Sequence, residues 1–162
     1  MPYLTTRMIF ISHAWKYDKD YWTLVEWFND EPNFTWKNYS VPKHDACGDI
    51  TERGLKNCLT RQIRPANMVI ILGGMYTVYS EWIDYEIDEA ARIGKIILGV
   101  RPWGQEKMPL KIQNTVDKVV GWNRKSNSSE RTYISHVTHL PVNIGQNNKK
   151  ETEYKFKING RI

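Results

Sequence analysis

Carboxylates, hydroxyls, imidazoles and thiols are the side chains that do chemistry unaided, and four places in this chain gather them. Glu86 lies in the stretch MVIILGGMYTVYSEWIDYEIDEAARIG, residues 68–94. Ser12-His13 closes the run Arg7-Met-Ile-Phe-Ile-Ser12. His44, Asp45 and Cys47 share the segment Pro42-Lys-His-Asp-Ala-Cys-Gly48, and His136-Val-Thr-His139 stands alone further on. A Cys–His pair could be a nucleophile and its base, but adjacency in sequence makes no dyad and a loop thiol is unreactive until its thiolate is stabilised. Two histidines without a third ligand give no reason to expect a metal. Glu86 is different, because its place in a periodic pattern is wrong for a charge.

Residues 80–93 read as a helix, with Ser80 suited to the N-cap, Glu81 to the first turn and Gly94 to the position just past the end. Wound at roughly 100° per residue, one arc of about half the circumference collects Trp82, Ile83, Glu86, Ile87, Ala90, Ala91 and Ile93. Glu86 is the one charged residue on that arc, while Glu81, Asp84, Asp88, Glu89 and Arg92 fall on the other side. A carboxylate on a buried face must be paired, neutralised or used. A structural use would be a loop cap or an ion pair with Arg101 or Lys43. The chemical use is electrostatic: an unprotonated carboxylate beside a carbon that becomes positively charged as its bond breaks. Trp82, one turn earlier on the same arc, either stacks on a ring or anchors the helix in the core.

The rest of the chain supplies what must hold these residues. Residues 7–12, 68–72 and 95–100 are short apolar runs and read as buried strands; 36–41 and 117–122 read as weaker ones. Helices are expected over 20–29, from an Asp49-Ile-Thr-Glu52 capping box to Pro65, and over 80–93, with 109–115 irregular or briefly helical. Alternating strands and helices imply an α/β fold, a mainly parallel five-stranded sheet covered on both faces. Ligands of such sheets bind beyond the carboxyl ends of the strands. Ser12-His13, the 42–48 segment, Gly73-Gly74 and the helix carrying Glu86 all converge there.

The net charge of +5 does not argue for nucleic acid, because residues 1–122 hold 15 basic and 15 acidic side chains and all the excess lies in 123–162. All seven tryptophans lie at or before Trp122. A domain over 1–122 and a basic C-terminal extension over 123–162 are therefore expected. No run of about 18 apolar residues could span a membrane, and with no apolar leader and only two cysteines a cytoplasmic protein without disulfides is the expectation.

Several nucleotide-binding sheets fail at the first loop. Ser12-His-Ala-Trp-Lys-Tyr17 is neither a Gly-x-Gly-x-x-Gly turn nor a Ser/Thr/Gly phosphate loop, and Gly73-Gly74-Met75 stands where a receiver domain would want its phosphoacceptor aspartate. By contrast, Phe10-Ile-Ser-His13 with Asp18 or Asp20 nearby resembles the first conserved box of Toll/interleukin-1 receptor (TIR) domains. Ser80-x-Trp82-x-x-x-Glu86 resembles their Trp-x-x-x-Glu helix motif. With the lead-in Arg64-Pro-Ala-Asn-Met-Val-Ile-Ile-Leu72 and the strand Gly94-Lys-Ile-Ile-Leu-Gly-Val100, the pattern is most similar to the TIR-like domains of the bacterial Thoeris antiphage system, over roughly residues 5–122.

The resemblance implies a flavodoxin-like, three-layer TIR-like fold with a C-terminal extension, and makes Glu86 the catalytic glutamate of an enzyme that consumes NAD. It implies a mobile loop over 39–49. The candidate nucleotide contacts are Phe10, Ser12, His13, Trp15, Tyr39, Asp45, Trp82 and Tyr85, with Ser12 and His13 at the strand end where a phosphate or ribose would lie. NAD is then the substrate, with no cofactor beyond it. The product is a cyclic ADP-ribose-type messenger that reaches a separate effector protein. TIR self-association is a further expectation, and the alternative is a TIR interaction module without catalysis. The chain departs from the family after Trp122, since residues 123–131 have no apolar period from which to build a closing helix.

Overall fold

A computed structural model describes residues 6–12, 18–40, 51–101 and 107–122, leaving aside the side chains of residues 18, 75 and 77–80. The elements are β1 (Arg7–Ser12), α1 (Asp18–Asn29), β2 (Trp36–Asn38), α2 (Glu52–Ile63), β3 (Met68–Leu72), α3 (Tyr76–Arg92), β4 (Ile96–Val100), α4 (Leu110–Thr115) and β5 (Lys118–Val120), with a 3₁₀ turn at Gly73–Met75 before α3. The five strands lie in the order β2-β1-β3-β4-β5, and every neighbouring pair is parallel. The α/β alternation expected from the sequence is thus present, with no antiparallel strand among the described residues.

All five residues of β3 are buried, as befits a central parallel strand with helices on both faces. β2, at one edge, is short and half-exposed, and side chains tie it to α1: Asn38 Nδ2 donates to the Tyr21 hydroxyl (2.7 Å) and Trp36 Nε1 to Asn29 Oδ1 (3.0 Å). The chain leaves β1 toward β2 and afterwards moves the other way, through β3 and β4 to β5. Right-handed crossovers therefore put α1 on one face and α2, α3 and α4 on the other. Contacts of α3 with α2 and α4 agree with that. On the α1 side Trp122 packs obliquely on Trp27, ring centroids 5.4 Å apart, so the last described residue belongs to the core. Residues 123–162, the predicted extension, lie outside the described residues.

Two boundaries and one cysteine differ from expectation. Thr51, not Asp49, caps α2, its hydroxyl accepting from the Gly54 amide at 3.1 Å. α3 begins four residues before Ser80, because the 3₁₀ turn runs straight into it and the Tyr76 amide is satisfied by the Gly73 carbonyl. No side-chain cap is needed where a tighter turn supplies the first bonds. Cys58, buried on α2, is disulfide-bonded, against the expectation of a chain without disulfides. The other end of α3 is as read: Gly94 takes φ 72°, Lys95 N donates to Ala90 O (2.9 Å) and Gly94 N to Ala91 O (3.1 Å), a Schellman closure.

Met108 lies against Gly73 and Gly99, closing the carboxyl side of β3 and β4. A Cβ on Gly73 would collide with the Met108 thioether and stand 2.9 Å from the Val100 carbonyl oxygen. The thioether can swing away, but the backbone oxygen cannot without moving β4. Gly73→Ala is expected to destabilise the fold by roughly 1–3 kcal/mol, read as a lower urea midpoint. An unchanged midpoint would show that β4 yields at no cost.

Candidate active site

The strand order reverses between β1 and β3, which is where a doubly wound sheet leaves a crevice at its carboxyl edge. Ser12 ends β1 there, in register with Ile71 of β3. α3 starts beyond that edge and descends across the sheet, burying Ile83, Glu86, Ile87 and Ala90. Glu86 thereby comes down beside Ser12. Both are almost fully enclosed, Ser12 at 1% and Glu86 at 6% exposure.

Burial pushes the Glu86 carboxyl up from the ordinary 4.5 to about 7, because the ionised form has lost its water. The Ser12 hydroxyl opposes this, favouring the carboxylate. The contact falls short of a full hydrogen bond: Ser12 Oγ and Glu86 Oε2 are both buried with no hydrogen-bond partner among the described residues. Each such orphan costs roughly 1–3 kcal/mol, and two at one spot mark a place where a ligand's polar groups would be welcome. Near neutral pH this carboxyl is divided between acid and carboxylate.

Glu89, three residues on, shows what an ordinary buried carboxylate looks like. The sequence pattern places it on the solvent side, yet it is 7% exposed because α2 packs there. Arg92 grips it with two nitrogens at 2.7 Å and Thr60 Oγ1 donates at 3.0 Å, holding the Glu89 carboxyl below the usual range. Glu89 is therefore satisfied where Glu86 is not. Its sequence signal was the Arg92 three residues later, a pairing that neutralises the burial.

The other predicted site residues divide. Phe10 alternates onto the same face of β1 as Ser12 and is part of the core, 2% exposed. Tyr85 does not join Glu86: its hydroxyl donates to the Lys56 carbonyl (3.1 Å) and lies 2.8 Å from Thr60 Oγ1 on α2. Tyr39 extends the β1–β2 pairing through its amide, which donates to Ile9 O at 2.8 Å, and carries Lys37 Nζ over its ring. Trp82 is half-buried. His13, Trp15 and Asp45 lie outside the described residues. Ser40, which the sequence did not single out, accepts from the Ile11 amide (2.9 Å) and so braces the strand that ends in Ser12.

An open groove of about 1030 Å³ runs along Tyr76, Arg101, Lys107, Met108, Pro109, Leu110, Gln113 and Val119, at the β4–β5 end of the same edge. Neither Glu86 nor Ser12 lines it. Arg101 stands at this groove and does not act on the Glu86 carboxyl, against one of the structural alternatives; Lys43, the other cation named for such a pair, lies outside the described residues. Among the described residues no group of three or more His, Cys, Asp or Glu could hold a metal ion, and no helix is long and apolar enough to cross a membrane.

Ser12→Ala removes the one described group that favours the ionised form of Glu86. The carboxyl is expected to titrate still higher, above about 7, which carbon NMR of labelled glutamate would read directly. A midpoint that falls would show that Ser12 is not facing this carboxyl.

The fold is similar to that of the solved Clostridium botulinum CMP N-glycosidase BcmB, at 12% identity over 72% of this chain and 90% of that one, with a TM-score of 0.50. No curated protein matches the chain. The family model for the Thoeris protein ThsB, TIR-like domain, matches residues 10–107, a span that includes Ser12, Glu86, the second half of β1 and the whole of β2, β3 and β4. The chain belongs to that family, the ThsB-type TIR-like domains.

Proposed function

We propose that this protein cleaves the bond between nicotinamide and ribose in NAD, with the carboxylate of Glu86 supporting the positive charge that develops on the ribose. The observation that carries the reading is the Glu86 carboxyl itself, enclosed, unpaired with any described cation, and set beside Ser12 at the switch point of the sheet. When the glycosidic bond breaks, its electron pair leaves with nicotinamide, which departs as a neutral base and needs no proton. The ribose carbon is left oxocarbenium-like, and a carboxylate close by lowers the energy of that state. Neither a metal nor a strong nucleophile is required. The family assignment fits such an enzyme, and the fold neighbour is named for cleavage of an N-glycosidic bond of another nucleotide.

Ser12 Oγ, unpartnered and adjacent, is suited to a ribose hydroxyl. The cation formed on cleavage meets either water or a nucleophile within the same ADP-ribose. A site enclosed enough to strip water from Glu86 favours the second, which yields a cyclic messenger for a separate effector protein. Incubating the purified protein with NAD, then separating nicotinamide, linear ADP-ribose and its cyclic isomers by mass analysis, tests the reading. Absence of nicotinamide release, by concentrated as well as dilute protein, would overturn it.

A further inference from the structure

Thr60, near the end of α2, meets α3 through its hydroxyl. Thr60 Oγ1 donates to Glu89 Oε1 at 3.0 Å and lies 2.8 Å from the Tyr85 hydroxyl. A hydroxyl has one proton and an ionised carboxylate can only accept, so the Thr60 proton goes to Glu89 and a Thr60 lone pair faces Tyr85. The Tyr85 proton is then shared between Thr60 and the Lys56 carbonyl, 3.1 Å away. Donation thus runs from Tyr85 to Thr60 to Glu89, and ends on a carboxylate that Arg92 also grips with two nitrogens. One side chain of α2 holds two residues of α3.

Those two residues bracket Glu86 along the chain. Around the helix Tyr85 stands about 100° from Glu86 and Glu89 about 60°, both on the same flank. Beneath, Ile83, Ile87 and Ala90 are buried by apolar contact, which has no preferred direction. Lys111 reaches Asp88 from α4, but that pair is exposed, and exposed pairs contribute little. The half-buried hydroxyl bonds from Thr60 are short and directional, so they dominate where the Glu86 side chain points. We infer that Thr60 is a positioning residue of the active site, its hydroxyl setting the orientation of α3 about its own axis that brings the Glu86 carboxyl to Ser12. Thr60 acts through Tyr85 and Glu89, at a remove from the reacting atoms. Its effect on turnover rests on the NAD reading; its effect on the carboxyl does not.

Thr60→Val keeps the shape of the side chain and removes its hydroxyl, and Thr60→Ser keeps the hydroxyl. Carbon NMR of labelled glutamate follows the titration of Glu86 without any substrate, and assays with NAD separate kcat from KM. In Thr60→Val the Glu86 midpoint is expected to fall from about 7 toward the ordinary 4.5, as the carboxyl swings out to water. Its kcat for NAD should drop by roughly 10–100-fold with KM little changed, the loss that a displacement of about 1 Å produces. Thr60→Ser should keep both midpoint and kcat near the wild-type values. Should Thr60→Val fail to fold, Tyr85→Phe, which removes one of the two contacts and keeps the ring, is expected to lower midpoint and kcat by a smaller factor. A Thr60 that only supports the fold would lower Tm and leave the midpoint where it is. A midpoint that does not fall in the folded variant, or that Thr60→Ser fails to restore, overturns the inference whatever the rate. A midpoint that falls while kcat holds bears the inference out and sinks Glu86 as the group that carries NAD cleavage. No nicotinamide release by the wild type sinks the NAD reading, and the midpoint still decides the role of Thr60.

Discussion

If Glu86 acts as proposed, Glu86→Gln is expected to lower nicotinamide release from NAD by roughly 10²–10³-fold, the loss typical of removing one fixed electrostatic partner from a developing charge. The substitution keeps the shape of the side chain and removes only its capacity for charge, so the loss is to appear chiefly in kcat. Single-turnover assays with saturating NAD, beside a circular dichroism spectrum that establishes an intact fold, separate this from misfolding. Undiminished turnover would end the catalytic assignment and leave the carboxyl a structural oddity.

The same substitution is expected to stabilise the protein, and by an amount that depends on pH. The Glu86 carboxyl titrates near 4.5 in the unfolded chain and at about 7 in the folded one. Between those values the folded state binds the extra proton, so stability falls as pH rises. The contribution is fully present below 4.5 and lost once pH has passed about 7. A gap of about 2.5 pH units at about 1.4 kcal/mol each corresponds to about 3 kcal/mol. A glutamine cannot ionise and escapes that loss. Glu86→Gln should therefore match the wild type near pH 4 and exceed it by about 3 kcal/mol at pH 8, or roughly 6–12 °C in Tm. Paired melts across that range check it, and a difference that does not change with pH would mean that Glu86 is not the group being titrated. Inactivity together with added stability is the signature of a residue retained for chemistry.

The inward carboxylate was legible because its neighbours at helical spacing are apolar, and the central strands because β3 and β4 are unbroken apolar runs. The start of α3 was not, since two glycines look like a loop and a 3₁₀ turn leaves no mark in composition. Glu89 was misplaced for a tertiary reason. A helical wheel knows one buried face, whereas α3 has a sheet beneath it and α2 at its flank, which widens the buried arc to include Glu89 and leaves Ala91 exposed. Tyr85 went astray in the same way, adjacent to the key residue in sequence but about 100° round the helix and spent on α2. Nearness along the chain was a poor guide to nearness in the site; Ser12, 74 positions away, is the described group that meets Glu86.

Those flanking contacts settle something the apolar stripe leaves open. A helix lying on a greasy sheet can roll by a fraction of a turn with little penalty, since one aliphatic side chain substitutes for another. Here Tyr85 and Glu89 moor one side of α3 to α2, and Asp88 moors the other side to Lys111 of α4. Like pins on the two edges of a key, they fix the azimuth of the cylinder and add little to its grip. Turned by a single residue, the same helix would present a phenol to the crevice in place of an acid.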